Sequence, residues 1–286
     1  MSDQTMTGRT VLVTGASDGI GAEAARVLAS KGATVHVTGR SASKLAPVAE
    51  AVGTEPLVAD FSRFDDVRRL ADQVCERVDT LDVLMNNAGG TFSPTKRTPD
   101  GHEPNFQINH LAPFLLTNLL HGQLAAAGSS LVINTSSAAN LMGKIVLDDL
   151  DYEHRRSMEF AAYGTGKLMN IVFTRGIAQR WSADGVVSVA VHPGPVGSSF
   201  GRDSWLVGLL YRSPLKQLAT ISVADGAAPL VALAERGSDP DLNGRYFSRF
   251  DADGRENRQA HDPSVITGLW ERSAALVGPG STADFT

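Results

Sequence analysis

From Thr10 to Val191 the chain alternates short β-branched runs with longer stretches of helical spacing, and this alternation restricts the fold more than any single residue does. Thr10-Val11-Leu12-Val13-Thr14, Thr34-Val35-His36-Val37-Thr38, a third run ending at Val58-Ala59-Asp60-Phe61, Leu81-Asp82-Val83-Leu84-Met85, Ser130-Leu131-Val132-Ile133-Asn134-Thr135 and Val186–Val191 read as strands. Helical spacing fills Ala22–Lys31, Ser43–Ala51, Asp65–Val78, Phe106–Leu124 and Met158–Trp181 between them. Ser222–Arg236 and Ser264–Val277 add two more helices, with a short strand at Asn243–Phe247 between them. Strands alternating with helices predict βαβ units and a doubly wound parallel α/β sheet. Right-handed crossovers then set the strand C-termini and their loops along one edge, where ligands bind.

The loops at that edge carry the chemistry. Thr14-Gly15-Ala16-Ser17-Asp18-Gly19-Ile20-Gly21 is a strand-to-helix turn with three glycines. Such a turn brings backbone N–H groups to a pyrophosphate at a helix N-terminus, so Gly15, Ser17, Asp18, Gly19, Ile20 and Gly21 are candidate nucleotide-binding residues of a Rossmann-type fold, and the motif by itself identifies only a nucleotide. The second strand ends at Thr38-Gly39-Arg40, about 20 residues past the turn, where an enzyme using NAD typically places an acid on the ribose 2′-OH. No acid stands there; the next carboxylate along the chain is Glu50. Gly39 leaves room, and the Arg40 guanidinium can fork onto a 2′-phosphate. Asp18 sets a carboxylate near the same phosphate and works against it. The expected cofactor is NADP(H) in preference to NAD(H).

Farther along, Tyr163 and Lys167 stand four residues apart inside Met158–Trp181. On a helix they share one face. An ammonium beside a phenol stabilises the phenolate, so the tyrosine can trade a proton well below its free pKa of about 10.

Composition narrows the alternatives. The chain has 286 residues, a net charge of −5 and no basic stripe, which excludes a nucleic-acid footprint. Met1–Arg9 is polar and lacks a signal-peptide core, and Leu111–Leu120 is too short and too interrupted to span a bilayer. The expectation is therefore no membrane segment and a cytoplasmic location. A single cysteine, Cys75, excludes an internal disulfide and is expected to be a buried thiol in its helix. Asp148, Asp149, Asp151, Glu153 and His154 make an acidic cluster without metal-ligand spacing, expected to be a solvated surface excursion; no metal is expected. No repeat or linker interrupts residues 1–286, which read as one domain. Residues 197–221 read either as a segment that could lid the substrate or as a packed surface helix, and the tail after Pro279 as loose.

The assembled motifs resemble the short-chain dehydrogenase/reductase family. The resemblance runs from Gly8 to about Val196 and rests on five motifs in the family's order: the glycine turn 14–21, Asn86–Gly89, Asn109, Ser136-Ser137, and Tyr163 with Lys167. Asn105–Leu120 and Asp148–Trp181 look like the retinol-dehydrogenase-like branch, in which serine and tyrosine are widely spaced, here 26 positions apart. The resemblance implies about seven parallel strands and a bound nicotinamide cofactor. It makes Tyr163 the general acid or base, with Lys167 lowering the phenol pKa and holding the ribose hydroxyls. Ser137, rather than Ser136, would meet the reacting oxygen, and Asn109 would hold a water beside Lys167. Asn87, Ala88 and Gly89 would pass the adenosine ribose, and Asp60 with Phe61 the adenine. Pro193, Gly194, Val196 and Ser198 would flank the nicotinamide. Gly164, Gly166 and Ala112 depart from the family pattern without removing a catalytic group; cofactor packing could offset the helix cost of the two glycines, or they could make room for substrate.

The implied function is an NADP-dependent oxidoreductase acting on an alcohol or carbonyl of a small apolar substrate. A dinucleotide-binding regulatory or sensor protein of the same fold is the alternative. A nucleotide-sugar epimerase or dehydratase also uses a Tyr-Lys pair, but suits Asn86–Gly89 and Ser137 less well. Similar proteins pair two long helices across a two-fold axis, so Phe106–Leu124 and Met158–Trp181 predict a homodimer or homotetramer.

Overall fold

The computed structural model describes residues 5–195 and 221–278. Val196, Ser198, all but the last residue of the expected lid 197–221, and the tail after Pro279 lie outside the described residues. The strands are β1 (Thr10–Thr14), β2 (Thr34–Gly39), β3 (Leu57–Val58), β4 (Val83–Asn86), β5 (Ser130–Thr135), β6 (Val186–His192), β7 (Arg245–Ser248) and β8 (Asp251–Ala252). They form one sheet in the order β3-β2-β1-β4-β5-β6-β7-β8. Seven are parallel, and β8 adds an antiparallel edge through Phe247↔Ala252 and Ser248↔Asp251. The chain order reverses at β1, between β2 and β4, which opens the ligand crevice of a doubly wound sheet.

Helices cover both faces, which is why the central strands read as continuous apolar runs rather than alternating ones. Every residue of β5 is buried. One face packs against α1 (Gly19–Ser30), α2 (Ala42–Val52) and α8 (Val223–Arg236), through Leu28, Leu45 and Leu230. The other packs against α3 (Phe64–Arg77), α5 (Ala112–Leu119), α7 (Glu159–Trp181) and α9 (Pro263–Val277), through Leu70, Phe114, Ile171 and Trp270.

Several expectations need correction. The helix expected over Phe106–Leu124 is broken into α4 (Pro104–Phe106), a π-turn at Gln107–Leu111, α5 and α6 (His121–Ala126). Pro113 has no N–H to offer the Asn109 carbonyl four residues back. The Ala112 N–H instead closes on the Gln107 carbonyl five residues back. The third strand stops at Val58, because the Asp60 N–H is taken by the Asp66 carboxylate and the chain turns. Cys75 is exposed, since α3 turns Val67, Leu70, Ala71 and Val74 inward and Cys75 follows one step off that stripe. The acidic cluster is only partly solvated: Asp149 accepts from the Glu153 and His154 N–H groups, and Asp151 pairs with Arg97 and His102.

The two helices expected to pair across a two-fold axis are partly covered by α9. Trp270 of α9 packs edge-on against Phe114 of α5 at 5.1 Å and against Trp181 of α7 at 5.6 Å, and tilts over Phe173 of α7 at 5.7 Å. With the sheet on one side and α9 on the other, α7 is buried nearly all round from Ala162 to Ile177. No helix among the described residues is long and apolar enough to cross a membrane.

Candidate active site

Contacts between β1 and β4 hold the glycine turn rigid. The Thr14 hydroxyl oxygen accepts from the N–H groups of Asn87 and Ala88, both at 3.0 Å. The Asn87 amide donates back to the Thr14 carbonyl at 2.9 Å. Gly15 has φ +67°, and a Cβ there would stand 2.7 Å from the Ala88 Cα. A Cβ on Gly21 would collide with the Asn87 amide and the Gly15 carbonyl. Gly19 (φ +61°) follows Asp18, whose carboxylate caps α1 by accepting from the Gly19 N–H at 2.8 Å. Asn87 and Ala88 thus lie against the turn. Ile20, partly buried, packs with the α1 side of the core.

A nicotinamide dinucleotide fits these residues. The Ser17 hydroxyl is buried and has no hydrogen-bond partner among the described residues, at the place where a ligand's ribose or phosphate oxygens would arrive. Gly39 faces that hydroxyl, and a Cβ on Gly39 would fall on Ser17 Oγ. The room in front of Gly39 is therefore taken by Ser17, a correction to the simpler expectation of open space. Arg40 follows, exposed, at the end of β2. Asp60 reaches the same edge because the Ala59 N–H bonds the Gly39 carbonyl. Its carboxylate accepts from the Ser62 N–H, and Phe61 is buried behind it.

Tyr163 and Lys167 lie one turn apart on α7, buried, with Lys167 Nζ 5.7 Å from the centre of the phenol ring. Nζ donates to the Thr135 carbonyl at the end of β5. Burial lowers the Lys167 pKa to about 8. The two serines differ in their contacts. Ser136 donates to the Lys167 carbonyl at 2.7 Å and is buried in that task. Ser137 is half-buried and accepts from the Ala139 N–H at 3.2 Å, which leaves its hydroxyl proton for another acceptor.

Asn109 sits in the π-turn and clamps Gly90. Its Oδ1 accepts the Gly90 N–H at 3.0 Å, and its Nδ2 donates to the Gly90 carbonyl at 2.9 Å. Gly89 is wedged between Asn109 and Lys167: a Cβ on it would lie 2.5 Å from Asn109 Oδ1 and 3.1 Å from Lys167 Nζ. Pro193 and Gly194 close the edge after β6. Gly194 has φ +101°, and its N–H turns back to His192 Nδ1 at 3.4 Å. Burial, aided by the Arg249 charge, holds the His192 pKa below its ordinary value.

Gly164 and Gly166 do not make room for cofactor or substrate. A Cβ on Gly164 would stand 2.5 Å from the Ala139 carbonyl oxygen, and one on Gly166 3.1 Å from that of Asn105. Both glycines let neighbouring backbone approach α7, and the helix propensity they cost is offset by that packing. Sequence reasoning missed Glu103 and Asn105, which stand behind Asn109. The available signal was a carboxylate immediately before Pro104, a helix-start pattern.

Comparison with known proteins agrees with this geometry. The short chain dehydrogenase family profile matches residues 9–205. Human retinol dehydrogenase 13 is 35% identical, over 97% of this chain and 87% of its own. A Streptomyces sp. (strain C5) protein provisionally named daunorubicin C-13 ketoreductase DnrU is 38% identical, over 95% of this chain and 93% of its own. Among solved structures, an uncharacterized protein from Mycobacterium paratuberculosis superposes with a TM-score of 0.75 at 32% identity, over 95% of this chain and 94% of that one. A nucleotide cradle, a buried Tyr-Lys pair and relatives of this kind along nearly the whole chain lead to one conclusion: the chain belongs to the short-chain dehydrogenases, in the retinol-dehydrogenase-like branch, as an oxidoreductase of alcohol and carbonyl groups.

Proposed function

We propose that the protein moves hydride between NADP(H) and the carbinol or carbonyl carbon of an apolar substrate, with Tyr163 as the proton donor or acceptor. The observation that carries this reading is the buried Tyr163–Lys167 pair on α7, together with a Ser137 hydroxyl at the end of β5 whose proton finds no acceptor among the described residues. The cofactor supplies the hydride. Ser137 orients the substrate oxygen, and Tyr163 delivers a proton as negative charge develops on it. Lys167 stabilises the phenolate left behind, and Asn109 holds the Gly89–Gly90 backbone against Lys167. Phe160 is exposed, and its ring lies 6.1 Å from the Tyr163 ring. An exposed aromatic side chain beside the phenol suits an apolar substrate, in keeping with the retinol and daunorubicin of the relatives' names.

Cofactor choice rests on Arg40 and the lack of an acid at the end of β2. Arg40→Ser is expected to raise the KM for NADPH roughly ten- to a hundredfold, the cost of a lost charge-assisted hydrogen bond of about 1.5–3 kcal/mol. The KM for NADH should change little. Steady-state kinetics with both cofactors across a carbonyl and alcohol panel tests this, and equal wild-type efficiency with both would refute it. Gly39 is left unchanged in the test because of Ser17.

Assembly follows from the position of α9. Trp270 seated on Phe114, Phe173 and Trp181 places α9 over the helices that the four-helix pairing expected from the family would use. Light scattering at micromolar concentration is expected to give one chain, 30.2 kDa. A stable dimer whose interface maps to α5 and α7 would contradict this.

A further inference from the structure

Behind the Asn109 clamp lies a buried carboxylate that the mechanism above does not use. Glu103 is 2% exposed. Its Oε2 accepts the Phe106 N–H at 2.8 Å. Its Oε1 accepts Asn105 Nδ2 at 2.8 Å and, more distantly, the Ser157 hydroxyl at 3.4 Å. Asn105 is fully buried and committed in every direction. Its Oδ1 accepts the Phe92 N–H, and its Nδ2 donates to the Phe92 carbonyl as well as to Glu103. The Asn105 carbonyl accepts from Asn109 Nδ2 at 3.0 Å. Asn109 holds Gly90 by two bonds, and Gly89 is wedged against Lys167 Nζ. An unbroken set of polar contacts therefore runs from Glu103 to the wall of the Lys167 pocket. Ser157 ties the same carboxylate to the segment just ahead of α7, which carries Tyr163.

Each amide in this set has one orientation. Asn105 must present its oxygen to the Phe92 N–H, so its second amide hydrogen needs an acceptor, and Glu103 is that acceptor. A satisfied buried network fixes geometry, whereas a half-satisfied one is costly. Burial raises the Glu103 pKa and the nearby Asp151 charge adds to this, while the three donors oppose it. The charged groups around it are Asp151, which accepts from the Glu103 N–H at 2.6 Å, Arg97 and His102, both paired with Asp151, and the Tyr152 phenol.

We propose that Glu103 is a positioning residue for the reaction: its carboxylate sets the Asn105 amide, and through Asn109 it sets the Gly89–Gly90 wall against which Lys167 works. This rests on the reading of Tyr163 and Lys167 as the proton-transfer pair.

The test separates this role from a helix cap. Aspartate is a good N-cap, so Glu103→Asp can still accept the Phe106 N–H but is one methylene too short to reach Asn105 as well. The expected result is a melting temperature and NADPH affinity close to wild type, an unchanged KM for the carbonyl substrate, and a kcat lower by about tenfold. Glu103→Gln keeps the reach but turns an N–H onto one of the donors, and should lower kcat in the same way. Wild-type kcat in Glu103→Asp would overturn the proposal, as would a kcat loss that only tracks the fraction of folded protein. Failure of both variants to fold would assign Glu103 to stability alone and overturn it as well. If Tyr163→Phe is inactive while Glu103→Asp is normal, only this inference fails; if Tyr163→Phe is active, the underlying reading fails first.

Discussion

Tyr163→Phe is expected to lower kcat by about 10²–10⁴-fold while the dissociation constant for NADPH stays within about threefold of wild type. The ring is buried and packs beside Phe160, and phenylalanine preserves that packing. What is removed is the hydroxyl that hands over the proton as the carbonyl oxygen becomes an alkoxide. Ser137 can still hydrogen-bond that oxygen, and its hydroxyl is far too weak an acid to replace the phenol, so binding survives and chemistry does not. Stopped-flow turnover together with cofactor titration by fluorescence separates the two. Near-wild-type turnover in the phenylalanine variant would remove Tyr163 from the mechanism.

Lys167→Met is expected to lower kcat by about 10²–10³-fold and, in the same protein without cofactor, to raise the melting temperature at about pH 7. Lys167 is an ammonium 3% exposed that donates to the Thr135 carbonyl, and burial brings its pKa down to about 8. In the unfolded chain the same group holds its proton up to about pH 10.4. Between these two values the unfolded state binds more protons than the folded one, so wild-type stability rises with pH across that window. Below about pH 8 the folded protein bears the full cost of a buried charge. Methionine fills the space without the charge and should abolish the rise. Thermal unfolding of both proteins without cofactor at about pH 7 and about pH 9.5 reads this directly. The stabilised variant would be the inactive one, as expected where a strained or costly group is kept for function. A wild-type melting temperature that does not change across the window would show that Lys167 is not held as a buried ammonium.

The sequence displayed the sheet well because its strands are buried on both faces. β1, β2, β5 and β6 are short β-branched runs with a turn at each end, and such runs have few other ways to hide. The glycine turn was legible because Thr14 to Gly21 are contiguous, whereas the Thr14–Asn87 contacts that brace it join residues 73 positions apart. Long-range contacts were not legible. Nothing near Ser264–Val277 shows that Trp270 will sit between Phe114 and Trp181, so the two long helices looked free to pair with another chain. Gly164 and Gly166 looked like weak points in a helix until Ala139 and Asn105 were seen against them. The π-turn around Asn109 was partly written in Pro113, whose missing N–H could have been weighed against a continuous helix. Glu103 passed unnoticed because its partners, Asn105 and Ser157, acquire meaning only when the loop before α4 meets the segment before α7.

The most direct measurement of the central claim follows the hydride itself. NADPH carrying deuterium at the transferable C4 position is incubated with the protein and a panel of apolar ketones and aldehydes, and the products are examined by mass spectrometry and NMR. The predicted result is one deuterium on the carbinol carbon of at least one product, lost in the Tyr163→Phe variant. Tight NADPH binding with no labelled alcohol from any member of the panel would contradict the account and favour a protein that binds the dinucleotide without turning it over.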